Sequence, residues 1–294
     1  LGQHGLTLYH TSTYVGEEVK ICIATPMYGG NAKSVYVACL QQLQEALVKN
    51  GHQVWHLSMT NESLITRARN TLAHEFMKSD SDALLFVDSD HGFNVDDIIK
   101  MVNSGKDVIG AIYPMKSINW ENVRKAALAG KTAEELESYS GFFAINFLPE
   151  PLQFQGSEPF PVRDVGTGML FIHRRAFEQI QPLVKTYRNN ANATPNIAYG
   201  EVIHEYFPTL ITEEPEMVLL SEDYAFCHLY RESGGTVYAA PWVRISHAGE
   251  YNFSGRFLAM LEIQGQFTAA GETPEGQSDS SQSSDTTSDH SESE

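Results

Sequence analysis

The chain has 294 residues, a formal net charge of -17 at pH 7, 42% apolar residues and 19% charged ones. That balance suits an ordinary soluble globular protein and excludes a wholly disordered or fibrous one. The acidity argues against broad nucleic-acid binding by phosphate neutralisation, although it leaves room for a local basic groove.

In chain order, residues 1–18 carry little pattern and read as an N-terminal extension. VKICIAT (19–25) has the unbroken apolar character of a buried strand, which PMYGG then interrupts. Residues 33–49 show helical spacing and stop at Gly51, and HQVWHLSM forms a second strand. NESLITRARNTLAHEFMKS is the clearest helix, with Asn61 as its expected cap and Leu64, Ala68, Leu72 and Phe76 on one side. The strand ALLFV, the short helix VDDIIKMV and the strand DVIGAIYP follow. ENVRKAALAGKTAEELESY predicts a helix broken at Gly130.

FPVRDVGTGMLFIHRRAFEQI reads as one strand, bent at Gly166 and Gly168, running into a helix. EDYAFCHLYRE is a helix, TVYAAPWV a late strand, and 257–263 a closing helix. The alternation predicts an α/β fold with a Rossmann-like, mostly parallel central sheet flanked by helices, in one domain over 19–265. Residues 266–294 form an acidic, Ser-rich tail expected to be disordered. Seven acids and no Lys or Arg lie in 271–294, which leaves -10 on the first 270 residues.

Cys22, Cys39 and Cys227 lack the spacing of a disulfide framework or a zinc site, which favours a reducing compartment. No secretory signal and no apolar run of 18 residues is found, so no membrane span is expected and a cytoplasmic location follows. The opening LGQHG lacks a methionine, as in a processed product, a polyprotein piece or an edited form.

The residues most suggestive of chemistry end the third strand. In DALLFVDSDHGF, Asp88 and Asp90 enter one loop at the carboxyl end of a parallel strand, where open α/β sheets bind ligands. Two carboxylates there suit a hard cation, Mn2+ or Mg2+, bridging to phosphate oxygens; a turn with a capping aspartate is the alternative. Gly166 and Gly168, inside a strand pattern, fit either a close backbone approach to a ligand or a plain bulge. Arg67 and Asn70 share a helix face, Arg69 points elsewhere, and an arginine at that edge would pair with Asp88 or a diphosphate. Lys116 follows the next strand and would reach a phosphate or an acceptor. Trp120 and Trp242 would stack on a sugar or base, or simply pack.

The order strand, DSD, GTG strand, ED helix and late histidine, over 19–249, resembles the GT-A glycosyltransferases that use nucleotide-sugar donors. The likeness is to family 2-like members and includes the small single-domain enzymes of bacteriophages and large viruses. The resemblance implies Asp90, Asp88 and His247 as metal ligands, with Asp88 also near the donor ribose. It implies Asp223 as the general base, with Glu222 second, and a nucleoside loop of Thr25, Pro26 and Tyr28. Asp164, Gly166 and Gly168 would then lie beside the donor sugar.

The implied activity is metal-dependent hexosyl transfer from a UDP- or GDP-sugar to a hydroxyl of a glycan, a protein or a modified DNA base. In a viral member the last would be a hydroxymethylated base, met by a cleft of Arg163, Arg174, Arg175 and Lys185. The alternatives are a nucleotidyltransferase, disfavoured by the lack of a basic Gly-rich loop near the first strand, and a non-catalytic glycan-binding protein. A dinucleotide fingerprint is absent from the chain.

Overall fold

The computed structural model describes residues 18–150, 156–190, 197–213 and 215–251. The extension expected over 1–18, apart from Glu18, the closing helix over 257–263 and the acidic tail fall outside them.

Strand β1 (Lys20–Met27), helix α1 (Ser34–Lys49), β2 (Gln53–Thr60) and α2 (Ile65–Lys78) lead to β3 (Ala83–Val87), β4 (His91–Phe93) and α3 (Val95–Val102). After β5 (Val108–Ala111) an excursion carries β6 (Pro114–Ile118), α4 (Trp120–Leu128), β7 (Gly141–Phe143) and β8 (Ile145–Asn146). Next come β9 (Phe160–Val162), β10 (Asp164–Val165), β11 (Met169–His173), α5 (Arg174–Ile180), β12 (Thr186–Arg188) and β13 (Val202–His204). The described chain closes with β14 (Leu210–Ile211), β15 (Leu219–Leu220), α6 (Glu222–Glu232), β16 (Val237–Ala240) and β17 (Ile245–His247).

Seven strands form one mixed sheet in the order β2-β1-β3-β11-β5-β16-β9. β2, β1, β3, β5 and β16 run one way, and β11 and β9 run against them. The sheet is therefore mostly parallel and α/β, as the apolar strands predict. Alternation along each strand builds two cores. Cys22, Ala24, Leu84 and Phe86 face Leu72 and Phe76 of α2, Phe177 of α5 and Phe226 of α6. Ile21, Ile23, Leu85 and Val87 face Leu43 and Leu47 of α1 and Ile98 and Met101 of α3. At about 1.5–3 kcal/mol for each large apolar side chain fully buried, this double core fixes the strand ends that carry the site.

Three local expectations need correction. The segment from Phe160 to His173 is not one bent strand: β9 lies at the sheet edge on β16, whereas β11 sits centrally between β3 and β5. The break between them pairs β10 with β8 of the excursion, which draws the chain out of the sheet and back. Asn61 does not cap α2. It takes a left-handed turn conformation at φ 61°, and the N-cap is Leu64, which is exposed rather than part of the buried stripe. By contrast, the helix expected over 121–139 does break at Gly130, which ends α4 at φ 81°.

Candidate active site

The parallel strands β1, β3, β5 and β16 end at one edge of the sheet, and the antiparallel β11 begins there. The loops after β3 and before β11 are tied by Asp88 N–H donating to the Gly168 carbonyl at 2.9 Å. Beyond that edge β4 pairs antiparallel with β17, setting His247 directly opposite His91. Ala248 N–H then donates to the Asp90 carbonyl at 2.8 Å, so the last described strand clamps the DSD loop.

Asp90, His91 and His247 present ligand atoms that all lie within 4.8 Å of one another. Asp90 Oδ2 accepts from Lys116 Nζ at 2.5 Å, and Oδ1 stands 3.5 Å from His247 Nε2. Burial opposes ionisation of Asp90, but the bonds from His247 and Lys116 outweigh it and hold its carboxyl well below the usual range. His247 Nδ1 donates to the Pro114 carbonyl at 2.9 Å, and His91 Nδ1 to the Gly168 carbonyl at 2.8 Å. A carbonyl only accepts, so both Nδ1 atoms carry a proton; burial favours the neutral His91 ring, whose Nε2 then keeps its lone pair, while His247 Nε2 faces the Asp90 carboxylate. His91 is fully buried, and its Nε2 has no hydrogen-bond partner among the described residues.

Arg69 organises a second group of acids. It is 3% exposed and donates from NH2 to Asp88 Oδ1 and Oδ2 at 3.1 and 3.3 Å, and from Nε to Glu222 at 3.2 Å. Burial works against its charge, but Asp88 and Glu222 outweigh burial and keep the guanidinium above its ordinary range. Next to Glu222, Asp223 Oδ1 accepts from the Ser221 hydroxyl and from Tyr224 N–H. Burial pushes the Asp223 carboxyl up, and the Glu222 charge adds to the effect. Burial raises the Tyr113 hydroxyl, and the charges of Asp88 and Asp223 add to the effect, so these acids act on one buried ring.

The two glycines of VGTGML make room for side chains. A Cβ at Gly166 would strike the Tyr113 hydroxyl, and one at Gly168 would strike the His91 ring. Tyr113 Oη accepts from Gly168 N–H at 3.2 Å, and the Tyr113 and His91 rings lie 4.6 Å apart. The close approach foreseen for a donor is therefore taken up by the residues that hold the histidines.

Of the residues expected at the site, Asp88, Asp90, Lys116, Glu222, Asp223 and His247 gather around these two groups. Others are engaged elsewhere. Arg67 donates to Glu62 at 2.6 and 2.8 Å and does not reach Asp88; the arginine that does is Arg69, the one expected to point away. The buried arc of α2 spans Ala68 to Ala73, wider than the stripe, and it takes Arg69 inward. Asn70 is buried with its amide on the Phe207 backbone, at 2.8 and 3.4 Å. Thr25 is consumed by a buried triangle with Tyr36 (2.6 Å) and His56 (3.1 Å), Pro26 is half-buried, and Tyr28 is 75% exposed. Asp164 is buried between Asn146 (3.1 Å), Arg163 (3.0 Å) and Arg231 (3.5 Å).

The arginines of the supposed basic cleft have partners of their own, although Arg163 and Arg175 keep exposed side chains. Arg163 lies on Asp164 and Arg175 on Asp107, while Arg174 donates to the carbonyls of Phe76, Met77, Ser79 and Ser81 around the end of α2. Trp242 Nε1 donates to the Asp97 carbonyl at 3.1 Å with Lys100 over its ring, so it packs; Trp120 is 62% exposed. His91, Arg69 and Tyr113 are the site residues that periodicity did not single out. The only signal for His91 was its place directly after DSD.

Neither known protein families nor curated proteins match the chain. Among solved structures, a glycosyltransferase involved in the glycosylation of the major capsid of PBCV-1 is similar at 12% identity and a TM-score of 0.28, over 54% of this chain and 62% of that one. The chain thus spans less than two thirds of that enzyme. The inositol-1-phosphate CTP transferase of T. maritima is similar at 8% identity and a TM-score of 0.36, over 79% of this chain and 90% of that one. Residues 1–349 of S. aureus TarS are similar at 14% identity and a TM-score of 0.26, over 75% and 60%. These superpositions are partial, and the functional assignment rests on the site itself.

Proposed function

We propose that the protein is a metal-dependent transferase that moves a glycosyl unit from a nucleoside diphosphate sugar to an acceptor hydroxyl. The observation that carries this reading is the meeting, at one sheet edge, of a ligand group around Asp90 and His247 with a half-buried carboxylate, Asp223. The ligand group fits a divalent cation: it offers one ionised carboxylate and two imidazoles, each oriented by its Nδ1 bond to a main-chain carbonyl so that Nε2 is the coordinating atom. When bound, such a cation supplies positive charge to a diphosphate leaving group. Lys116, which holds Asp90 when no cation is bound, would then be free to reach the same diphosphate. Arg69 fixes Asp88 in orientation, ready to accept from donor hydroxyls.

Asp223 takes the proton of the acceptor hydroxyl. Its two internal bonds both fall on Oδ1, leaving Oδ2 for that task, and its raised carboxyl makes it a better base than an exposed aspartate. Glu222, held on Arg69, positions Asp223 at the start of α6.

The test is a screen of UDP-, GDP- and CDP-sugars with Mn2+ against pooled glycan and peptide acceptors, following nucleoside diphosphate release. Asp223→Asn should cut release by about 10²–10⁴-fold while leaving donor binding intact. Release of pyrophosphate from a nucleoside triphosphate instead would make the protein a nucleotidyltransferase and end this reading.

A further inference from the structure

Asp90 and His247 supply two ligands of the cation site, and Asp88, the third member expected from the DSD string, is turned onto Arg69. We infer that the third protein ligand is His91, giving a centre of two imidazoles and one carboxylate that selects first-row transition metals over Mg2+. The inference deepens the transferase reading, since it concerns the same site, but it stands on the ligand atoms alone.

The His91 Nε2 atom is the strongest observation. It belongs to a side chain with no exposed surface, it is the lone-pair nitrogen because Nδ1 donates to Gly168, and it has no hydrogen-bond partner among the described residues. A buried polar atom left unmet costs about 1–3 kcal/mol, and a metal ion satisfies it. His247 repeats the pattern, with its own Nδ1 fixed on Pro114. A metal-bound histidine characteristically donates its other ring nitrogen to a carbonyl or carboxylate, which is what both rings do.

The backbone makes the pairing systematic. His91 and His247 face each other across the β4–β17 ladder with ring centroids 4.5 Å apart. Ligands at about 2.0–2.2 Å from a common ion stand roughly 3–4 Å from one another, so the present 4.8 Å limit closes with small side-chain rotations. The Lys116 ammonium on Asp90 is the internal cation that an ion would displace, and its 45% exposed side chain can swing away.

The donor set decides the metal. Imidazole suits the later first-row ions such as Zn2+, Mn2+ sits lowest in that series, and Mg2+ prefers an octahedral shell of oxygens. The test uses the full chain, stripped with a chelator and titrated with each metal alone, with no donor or acceptor present. Co2+ should give visible d–d absorption, and calorimetry should rank Zn2+ above Co2+ above Mn2+, with Mg2+ weakest.

His91→Ala should weaken Co2+ binding by more than about 100-fold, because changes outside the ligand shell already cost about 10–100-fold. Asp88→Asn should leave it within about threefold. Because His91 is buried, His247→Ala, at a partly exposed position, provides a second variant with the same expected loss, and the metal-free melting temperature of each reports folding. Mg2+ binding as tightly as Co2+, or Asp88→Asn losing the ion while folded His91→Ala keeps it, would overturn the assignment. Metal binding as described without any sugar transfer would leave this centre standing and remove only the transferase reading.

Discussion

Replacing Arg69 by methionine tests the electrostatic frame of the site. The change keeps most of the side-chain volume and removes the one guanidinium shared by Asp88 and Glu222. Taking away one partner of a buried ion pair costs about 3–5 kcal/mol, mostly because the remaining charge is left unpaired. Here Glu222 is 13% exposed and Asp88 28% exposed, so water relieves part of the penalty and the lower end applies. About 3 kcal/mol in a domain of this size lowers the melting temperature by about 6–12 °C.

The assay is thermal unfolding at neutral pH, followed by circular dichroism. Adding Glu222→Gln to Arg69→Met should recover part of the loss, since one of the two stranded carboxylates is then gone; the coupling between the two changes should exceed about 0.5 kcal/mol. An Arg69→Met protein melting within about 2 °C of the parent, or additive effects in the double variant, would refute the bridging role.

Other outcomes follow from the same geometry. Asp223→Asn should cut turnover by about 10²–10⁴-fold, the usual worth of a positioned base. It should also raise the melting temperature at pH 7. A carboxyl held above its unfolded value contributes stability that is complete below the unfolded pKa and lost as pH rises through the folded one, so the gain should vanish in acid.

Gly168→Ala should destabilise by about 1–3 kcal/mol through overpacking against His91, and metal affinity should fall with it, read by calorimetry. Arg174→Met should lower the melting temperature by removing the donors to four carbonyls at the end of α2. Metal affinity should stay unchanged, because Arg174 lies away from the strand ends that hold the site.

The sheet was legible because unbroken apolar strands alternate with amphipathic helices, a pattern set by local periodicity. Asp90 and His247 were legible because each stands where a strand gives way to a loop. Arg69 was misread for a reason internal to helices: four-residue spacing defines a narrow stripe, whereas α2 buries the wider arc from Ala68 to Ala73. Its partner Glu222 lies 153 residues away, and no short-range pattern reports a pair of that kind. The glycines at 166 and 168 announced a close approach, but the identity of what approaches, Tyr113 and His91, depends on how β5 and β4 are set beside β11. His91 itself was hidden by its register with β17, a property of two strands rather than of either one.

That register has a consequence for how the protein comes together. Gly92 and Ser246, neighbours across the β4–β17 ladder, are 154 residues apart along the chain, so the histidine pair exists only after nearly the whole domain has been threaded into place. An ion gripped there would act as a removable crosslink closing a very long loop, a device whose benefit to the native state grows with the span it ties off. Chelation would then loosen the closing β4–β17 ladder first and leave the helix-backed sheet beneath it intact.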